Sequence, residues 1–369
     1  MVLIVAIAFT FIVALRPVTE QTTTKDASNV YVGVTFSGNT TDQAKLLIDK
    51  VKTCTNLLVV DSGPVSKNET SLNEICDYAV QQGLHVIAYF GKLEFSWQTT
   101  WIDGAKQRWG SFFLGIYFFD EPAGSLLDTN ATVLASYNPM NYDEMANLFV
   151  DSWKTLPGLA TVKALPSHPT TFTSDYALYW WDYQAGYDVV FSEFGWNNSR
   201  AQQIALVRGA AQIQNKTWGA IMTWTYDNGA YLENGTQLYS DMALAYENGA
   251  KYIILFNYPT IAGNNYGLLT GDHFEAMQKF WTKIQSDPNS NSYSAQNVLV
   301  LPRNYGWGMR SPNDKIWGLW GPDDKSPHVW NVTQTLLTRD FPNLDIVYDD
   351  PNFPLGYNYT KIYYWNATL

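Results

Sequence analysis

FFLGIYFFDEP, at residues 112–122, is the stretch of sequence that decides the fold. It begins with eight uncharged and mostly large apolar residues, as a strand buried on both faces requires, and then turns abruptly to two acidic residues and a proline. Seven further runs of this kind recur at intervals of roughly 30 residues, at 30–36, 56–62, 85–91, 161–166, 188–193, 217–226 and 251–258. Eight buried strands that alternate with amphipathic stretches predict a closed (β/α)8 TIM barrel of the α/β class, with an open, doubly wound sheet as the alternative.

The stretches between these runs carry the periodicity of helices. The clearest helical segments are 41–53, 70–82, 142–155, 199–214 and 272–286. Thr40 or Thr41 is the predicted N-cap of the first, and Thr70 or Ser71 that of the second. Residues 123–141 form the longest loop of the barrel region, and a loop of that length is typical of a functional site or a lid.

Composition divides the chain into four parts. They are an apolar and then Thr-rich segment at 1–24, the barrel at 28–286, a Ser- and Asn-rich linker at 287–297, and a small α/β unit at 298–369. The small unit is predicted to be Rossmann-like or flavodoxin-like, with strands at 298–302, 344–350 and 361–366 and a helix at 330–339. A unit of about 75 residues buries little surface alone, so we expect it to dock on the barrel or on a second copy of the chain in a homo-oligomer.

The N-terminus favours export. Residues 2–15 are apolar, and as a helix they would rise about 21 Å, short of a bilayer core of about 30 Å. An export signal is therefore favoured over a full transmembrane span. No basic residue precedes the segment and no small-x-small cleavage site follows it, so a released and a membrane-anchored form stay open. Either form predicts an extracellular or cell-surface location.

Nine Asn-x-Ser/Thr sequons support the same prediction. They begin at Asn39, Asn68, Asn130, Asn197, Asn215, Asn234, Asn331, Asn358 and Asn366, and we expect them to be glycosylated. The first four and Asn234 lie in loops that follow predicted strands, on the face where barrels carry their active sites. Glycans there are compatible with an enzyme that acts on small or terminal sugars, and also with a binding or surface-coat protein.

The remaining composition excludes several classes of function. A net charge of −11 argues against nucleic acid as a partner, because phosphate binding needs concentrated Lys and Arg. Four His and two Cys are scattered, so neither a metal site nor a cofactor is expected. Cys54 and Cys76 fall on neighbouring predicted helices, where they form either one disulfide or two free thiols. Aromatic residues make up 15% of the chain, as core or as platforms on which sugar rings stack.

Acidic residues stand at the carboxyl ends of several predicted strands. The candidate catalytic residues are Asp120, Glu121, Glu193 and Asp227. The candidate substrate-binding residues around them are Asp61, Tyr89, Trp97, Trp196, Trp224, Tyr226, Asn257 and Tyr258. Two carboxyls in an aromatic mouth are what glycoside cleavage requires, one to protonate the leaving oxygen and one to act as nucleophile or to activate water. The structural alternatives are an Asp-Glu-Pro turn that only caps a helix, and a Glu193 that only pairs with Arg200 or Arg208.

Two of these motifs resemble a known family. FFDEP is similar to the Asn-Glu-Pro element of the large clan of retaining β-glycosidases, and SEFGW at 192–196 is similar to the Glu-x-Gly-Trp element of some of its families. A barrel followed by a small α/β unit also resembles the microbial β-galactosidases with a trimerisation domain. The resemblance implies that Glu121 is the acid/base and Glu193 the nucleophile, and that the substrate is a carbohydrate.

The sequence departs from the clan at two points. Asp120 stands where the clan has Asn, and its charge should raise the pKa of Glu121, which suits an acid. Glu193 falls on the sixth predicted strand, whereas the clan's nucleophile is on the seventh, where this chain offers Asp227. The partner of Glu121 is therefore open between these two residues.

Three hypotheses follow from the sequence. The first is an extracellular glycoside hydrolase with a retaining mechanism. The second is a non-catalytic carbohydrate-binding protein, and the third is a structural cell-surface or filament glycoprotein. The separation of the carboxyls distinguishes them, because about 5–5.5 Å indicates retention and about 6.5–9.5 Å inversion.

Overall fold

Eight parallel strands close into a barrel in the computed structural model, which describes residues 30–130, 135–155, 158–227, 229–257, 263–288, 293–356 and 359–367. The barrel strands are β1 Tyr31–Phe36, β2 Leu57–Val60, β3 His85–Phe90, β4 Phe113–Phe118, β5 Thr171–Asp175, β6 Val189–Phe194, β7 Thr217–Met222 and β10 Tyr252–Leu255. A separate antiparallel hairpin, β8 Thr225–Tyr226 and β9 Ala230–Tyr231, lies between β7 and β10 in the chain. The barrel order is β1-β10-β7-β6-β5-β4-β3-β2. The (β/α)8 prediction is confirmed, and the open-sheet alternative is wrong.

Helices surround the barrel between successive strands. They are α1 Thr41–Val51, α2 Gly63–Ser66, α3 Glu69–Gln81, α4 Ser96–Trp109, α5 Tyr142–Thr155, α6 Leu159–Lys163, α7 Tyr179–Ala185, α8 Arg200–Ile213, α9 Gly235–Glu247 and α10 Gly271–Ser286. Thr40 caps α1 as predicted, in a capping box with Gln43. The cap of α3 is Asn68 and not Thr70 or Ser71, because its side chain accepts the backbone N–H of Ser71 and Asn caps a helix as well as Ser does.

The prediction for the fifth strand is wrong. Part of 161–166 belongs to α6, in which Leu159 and Val162 are buried at a helical spacing of three. The strand is TFTSD at 171–175, and its polar side chains hide it from a search for apolar runs. They are tolerated in the interior because they are hydrogen-bonded, as when the Thr173 hydroxyl donates to the backbone oxygen of Phe119 at 3.2 Å.

The interior of the barrel is filled by side chains, so the fold has no open channel. The buried cluster inside the ring of strands consists of Leu57, Val59, Ile87, Tyr117, Phe172, Val189, Phe191, Ile221, Tyr252 and Ile254. A larger apolar layer lies between the strands and the outer helices. This packing leaves the loops at the carboxyl ends of the strands as the place for a site.

The C-terminal elements form a second, smaller sheet. They are β11 Asn297–Leu301, α11 Ser326–Asp340, β12 Leu344–Tyr348 and β13 Lys361–Tyr364. The strands are parallel in the order β12-β11-β13, which is the second-first-third order of a flavodoxin-like sheet. The small α/β prediction is therefore confirmed.

This small sheet docks on α7 and α8 of the barrel, as expected for a unit of its size. The backbones approach so closely that a Cβ on Gly209 of α8 would lie 2.6 Å from the carbonyl oxygen of Ile346. Arg208 is buried beside it and pairs with Asp345 at 2.7 Å. Trp181 of α7 packs against Tyr348, with ring centroids 4.5 Å apart.

The two cysteines are free thiols, so the disulfide alternative for Cys54 and Cys76 is wrong. Cys54 lies beyond the end of α1 and its thiol contacts the carbonyl oxygen of Val51 at 3.4 Å, while Cys76 faces the core from α3. Burial raises the pKa of the Cys54 thiol to about 11, which keeps it protonated and unreactive. The predicted export segment lies outside the described residues, and no helix among those that are described has the length and apolarity to cross a membrane.

Candidate active site

Acidic side chains from several strand ends meet at the mouth of the barrel. Asp120 and Glu121 follow β4, and Glu193 is part of β6. The hydroxyl of Ser174, on β5 between them, lies 2.7 Å from Asp120 Oδ1 and 2.6 Å from Glu193 Oε1. The Tyr117 hydroxyl also donates to Asp120. The Ser174 hydroxyl has a single proton and can donate it to only one of the two carboxylates. Asp120 or Glu193 must therefore be protonated itself.

The turn that carries Glu121 is held in a strained shape. Phe119 and Glu121 have φ angles of 61° and 50°, in the left-handed region that non-glycine residues rarely adopt. The N–H of Glu121 donates to the carbonyl oxygen of Ser174 at 3.0 Å, which ties the turn to β5. Strain of this kind persists only where surrounding bonds over-determine the backbone, and it is common at functional sites.

Asp175, the last residue of β5, supplies most of those bonds. Its carboxylate accepts the N–H groups of Ala123 at 2.9 Å and Gly124 at 2.9 Å, just after Glu121. A Cβ on Gly124 would lie 2.1 Å from Asp175 Oδ1, so only glycine allows this approach. Burial raises the pKa of Asp175 to about 6, although these N–H bonds oppose the shift. Asp175 is therefore ionised at neutral pH and fixes the position of Glu121.

A second buried carboxyl lies behind Asp175. Asp182 of α7 is fully buried, and burial followed by the charge of Asp175 raises its pKa well above the usual range. That combination means that Asp182 is protonated.

Glu121 and Glu193 form a second pair. Burial raises the pKa of Glu121 to about 8, helped by the charges of Asp120 and Asp175. Glu193 is 2% exposed, and burial followed by the charge of Glu121 raises its pKa well above the usual range. A hydrogen bond joins the two carboxyls. At neutral pH the pair therefore keeps at least one proton, because like charges in contact cannot both ionise in a buried site.

Two depressions lie on either side of these acids. The larger is a cleft of about 540 Å³, lined by Glu121, Asp128, Tyr176, Trp196, Asn198, Arg310, Ser311 and Asp314. The smaller, of about 330 Å³, is lined by residues that include Lys67, Tyr89, Lys92, Glu94 and Asp120. Glu121 thus opens into the large cleft and Asp120 into the small one.

Exposed aromatic rings stand beside the large cleft. Trp196 is 50% exposed, and Tyr226 lies beside it with ring centroids 6.3 Å apart. Trp224 meets Tyr226 edge to face at 5.0 Å. A large apolar ring held at the surface leaves one face free for stacking, as sugar binding requires.

Several predicted residues converge on this mouth. Asp61 lies near Asp120, and burial followed by the charge of Asp120 raises its pKa to about 8. Tyr89 lines the small depression and packs on Tyr117, with ring centroids 5.2 Å apart. Trp97 packs near that depression, against Phe90 and Phe95.

Other predicted residues lie elsewhere. Asp227 is exposed at the tip of the β8–β9 hairpin, outside the carboxyl cluster, so the partner that strand number suggests does not join the other acids in this structure. Asn257 is 4% exposed, and its amide bonds to the carbonyl oxygen of Tyr266 and the N–H of Leu268, so it shapes a loop instead of facing a ligand. Tyr258 lies outside the described residues.

The ion-pair alternative for Glu193 is wrong. Arg200 pairs with Glu233 and, at 2.8 Å, with Asp241. Arg208 pairs with Asp345 in the docking contact. Glu193 is left with the Ser174 hydroxyl and Glu121 as its hydrogen-bond partners.

The sequons whose side chains are described all have exposed asparagines, namely Asn39, Asn68, Asn197, Asn215, Asn234, Asn331 and Asn366. The Asn130 side chain and Asn358 lie outside the described part of the chain. Glycosylation stays a prediction. In the described ranges no group of three or more His, Cys, Asp or Glu side chains is arranged to hold a metal ion.

Sequence reasoning missed the residues that hold or enclose the site. The sequence does not predict Asp175 because it places the fifth strand at 161–166. With the strand at Thr171–Asp175, Asp175 stands at a strand end, as the other candidate acids do. Asp128 lies within the long loop after β4 that the sequence did single out. Arg310 comes from the C-terminal unit, and no local pattern predicts that its loop reaches the barrel mouth.

No protein-family model matches the chain, and no curated protein matches it. Among solved structures, α-L-fucosidase isoenzyme 2 from Paenibacillus thiaminolyticus is 11% identical, with a TM-score of 0.48, over 73% of this chain and 52% of that one. Orotidine 5'-phosphate decarboxylase from Pyrococcus horikoshii OT3 is 12% identical, with a TM-score of 0.40, over 69% and 99%. A 3-hexulose-6-phosphate synthase is also 12% identical, with a TM-score of 0.38, over 69% and 99%.

The chain spans about half of the fucosidase's length. Similarity at this level of identity reflects the barrel alone and does not choose among the different reactions that these names describe.

Proposed function

We propose that this chain is a glycoside hydrolase in which Glu121 is the catalytic acid. The observation that carries the proposal is a carboxyl with its pKa raised to about 8 on the wall of a cleft that also exposes Trp196. An acid that keeps its proton at neutral pH can transfer it to the leaving oxygen of a glycoside, which an ordinary carboxylate cannot do.

The surroundings of Glu121 suit this reaction. Trp196 and Tyr226 offer faces for a sugar ring at the mouth. The negative charges of Asp120 and Asp175 favour the protonated form of Glu121 before proton transfer. During proton transfer the same charges favour the positive charge that develops on the sugar ring. The strained turn fixes the acid, so little reorganisation is needed at the moment of reaction.

The retaining mechanism implied by the resemblance is less well supported. Glu193 would have to attack the sugar, yet it is 2% exposed and hydrogen-bonded to Glu121. Retention therefore requires that the pair separate when substrate binds.

We also propose that the protein is exported and glycosylated. The apolar run at residues 2–15 and the exposed sequon asparagines support this. Glycans on Asn39, Asn68, Asn197 and Asn234 would surround the mouth of the barrel, which favours short or terminal sugars over a long polymer as substrate.

Hydrolysis of a panel of aryl glycosides and oligosaccharides tests the proposal. The wild type should hydrolyse at least one member, and Glu121→Gln should lose about 100-fold or more in kcat with its fold intact. Glu247→Gln is the matched control, because Glu247 is an exposed residue at the C-terminal end of α9, before β10, and lies at the opposite end of the barrel from the acids. Equal turnover in wild type and Glu121→Gln would refute the assignment.

A second candidate is a non-catalytic carbohydrate-binding or structural surface protein. The buried Glu121–Glu193 pair favours it, because a hydrogen-bonded pair is a stable arrangement that needs no substrate. That function predicts saturable binding of an oligosaccharide in calorimetry, lost in Trp196→Ala, with no product from any member of the panel.

A further inference from the structure

The proposed acid needs a second carboxylate that a substrate in the same cleft can reach. Glu193 does not line the large cleft, and Asp227 stands on a hairpin tip outside it. Asp314 does line the cleft, but Arg310 and the N–H groups of Arg310 and Lys315 occupy its carboxylate, which is 6% exposed. Asp128 is the remaining acidic residue among those that line the cleft with Glu121.

Asp128 is held on the wall of the cleft by two neighbours. Its carboxylate is 49% exposed, accepts the Tyr176 hydroxyl at 2.6 Å and pairs with Arg310 Nη1 at 2.9 Å. Its charge in turn contributes to the raised pKa of Glu121, so the two carboxyls interact across the cleft although no hydrogen bond joins them.

The two acids of the cleft thus lie in different surroundings. Glu121 is shielded and keeps its proton, whereas Asp128 is exposed and pairs with the Arg310 cation. An acid and a second carboxyl that face one cleft are what glycoside cleavage with inversion requires. A cleft of about 540 Å³ between them also has room for a sugar and a water.

The C-terminal unit completes this arrangement. Arg310 lies in the loop between β11 and α11, and its guanidinium bridges Asp128 at 2.9 Å and Asp314 at 2.8 Å while lying over the Tyr176 ring. Asp128 belongs to the loop after β4, so the contact joins the barrel to the small sheet at the edge of the cleft. The small unit therefore contributes to the site and does more than cover α7 and α8.

We propose that Asp128 is the general base of an inverting glycoside hydrolase, positioned by Arg310 and Tyr176, with Glu121 as the acid. Asp128 takes a proton from a water molecule, whose oxygen bonds to the anomeric carbon as the glycosidic bond breaks. Glu121 gives its proton to the leaving oxygen, and the two carboxyls then exchange protons with solvent to regain their starting states. Glu193 stays beneath Glu121 as a positioning residue. This inference rests on the proposed glycosidase function.

The configuration of the first product tests the inference on the wild-type protein. Proton NMR of a glycoside that the panel identifies should show the anomer opposite to that of the substrate before mutarotation. A product of retained configuration would overturn the role of Asp128 but leave that of Glu121. Absence of hydrolysis across the whole panel would refute the proposed function, and the inference with it.

Asp128→Asn provides the second measurement. We expect a fall in kcat of about 100-fold or more with KM changed little, and partial recovery by sodium azide with formation of the inverted glycosyl azide. Asp49→Asn is the matched control, because Asp49 is 48% exposed and also pairs with a cation, Lys52 at 2.7 Å, and a phenol, Tyr78 at 3.0 Å. If Asp128→Asn keeps wild-type kcat while Glu193→Gln loses it, the inference is wrong.

Discussion

Asp175→Asn is the change that most sharply tests how Glu121 is positioned. Asp175 Oδ2 accepts the N–H groups of Ala123 and Gly124, and Oδ1 accepts those of Gly124 and Tyr176. The asparagine side chain keeps an oxygen at only one of these two positions. At the other position its NH2 group faces backbone N–H donors and cannot accept from them. If the NH2 group takes the Oδ2 position, the N–H of Ala123 loses its acceptor, and if it takes the Oδ1 position, that of Tyr176 does. Either loss costs about 1–3 kcal/mol.

The same substitution also removes a charge that raises the pKa of Glu121. The basic limb of the kcat/KM profile reports the acid of the free enzyme, so it should lie near pH 8 in the wild type. In Asp175→Asn we expect it to move to lower pH, by an amount on the order of one unit. Urea unfolding and a pH–rate profile measure the two effects separately.

Asp188→Asn is the matched control. Asp188 accepts the N–H of Thr171 at 3.0 Å and pairs with Lys163 at 2.7 Å, at the opposite end of β5 from Asp175. It should therefore also cost stability but leave the pH–rate profile in place. An unchanged profile in Asp175→Asn, or the same shift in Asp188→Asn, would refute the positioning role.

Three further predictions concern stability and binding. The folded-state pKa values of Asp61 and Glu121 are raised to about 8, so between about pH 4 and 8 the folded protein holds protons that the unfolded chain has already released. The stabilisation from these two groups is therefore fully present below about pH 4 and is lost as pH rises from there through about 8, by at most about 1.4 kcal/mol per pH unit for each group; a Tm that rises between pH 5 and 8 would contradict this. Trp196→Ala should raise KM several-fold without lowering Tm, because half of the side chain is already exposed; an unchanged KM with a lower Tm would give the ring a structural role instead. Arg208→Ala should cost about 3–5 kcal/mol in urea unfolding because it leaves a buried carboxylate without its cation. The matched change Arg339→Ala removes an exposed ion pair and should cost far less, and equal costs would argue against the docking contact.

The barrel could be predicted from the sequence because most of its strands are continuous apolar runs at regular intervals. The exception, β5, is the informative one. TFTSD at 171–175 is polar, yet Ser174 and Asp175 are fully buried at the mouth of the barrel. A strand that carries the hydrogen bonds of a site loses the apolar pattern by which buried strands are recognised.

The site was predictable only where it depends on strand ends. Asp120, Glu121 and Glu193 converge because parallel strands bring their carboxyl ends to one face, which the sequence pattern already implies. The partner in the cleft was not predictable, because Asp128 and Arg310 are 182 residues apart and meet only through the docking of the small sheet. The burial of Glu193 depends on how the folded chain packs around it. The SEFGW motif alone therefore could not predict that this carboxyl is inaccessible.

The dependence of Glu121→Gln on the leaving group tests the acid role most directly. A general acid matters for an alkyl or sugar leaving group, which must be protonated, and matters little for a 2,4-dinitrophenyl group, which leaves as a stable anion. We predict that Glu121→Gln loses about 100-fold or more in kcat/KM on the unactivated glycoside and much less on the dinitrophenyl glycoside. Equal losses on the two substrates, or none on either, would contradict the assignment of Glu121 as the catalytic acid.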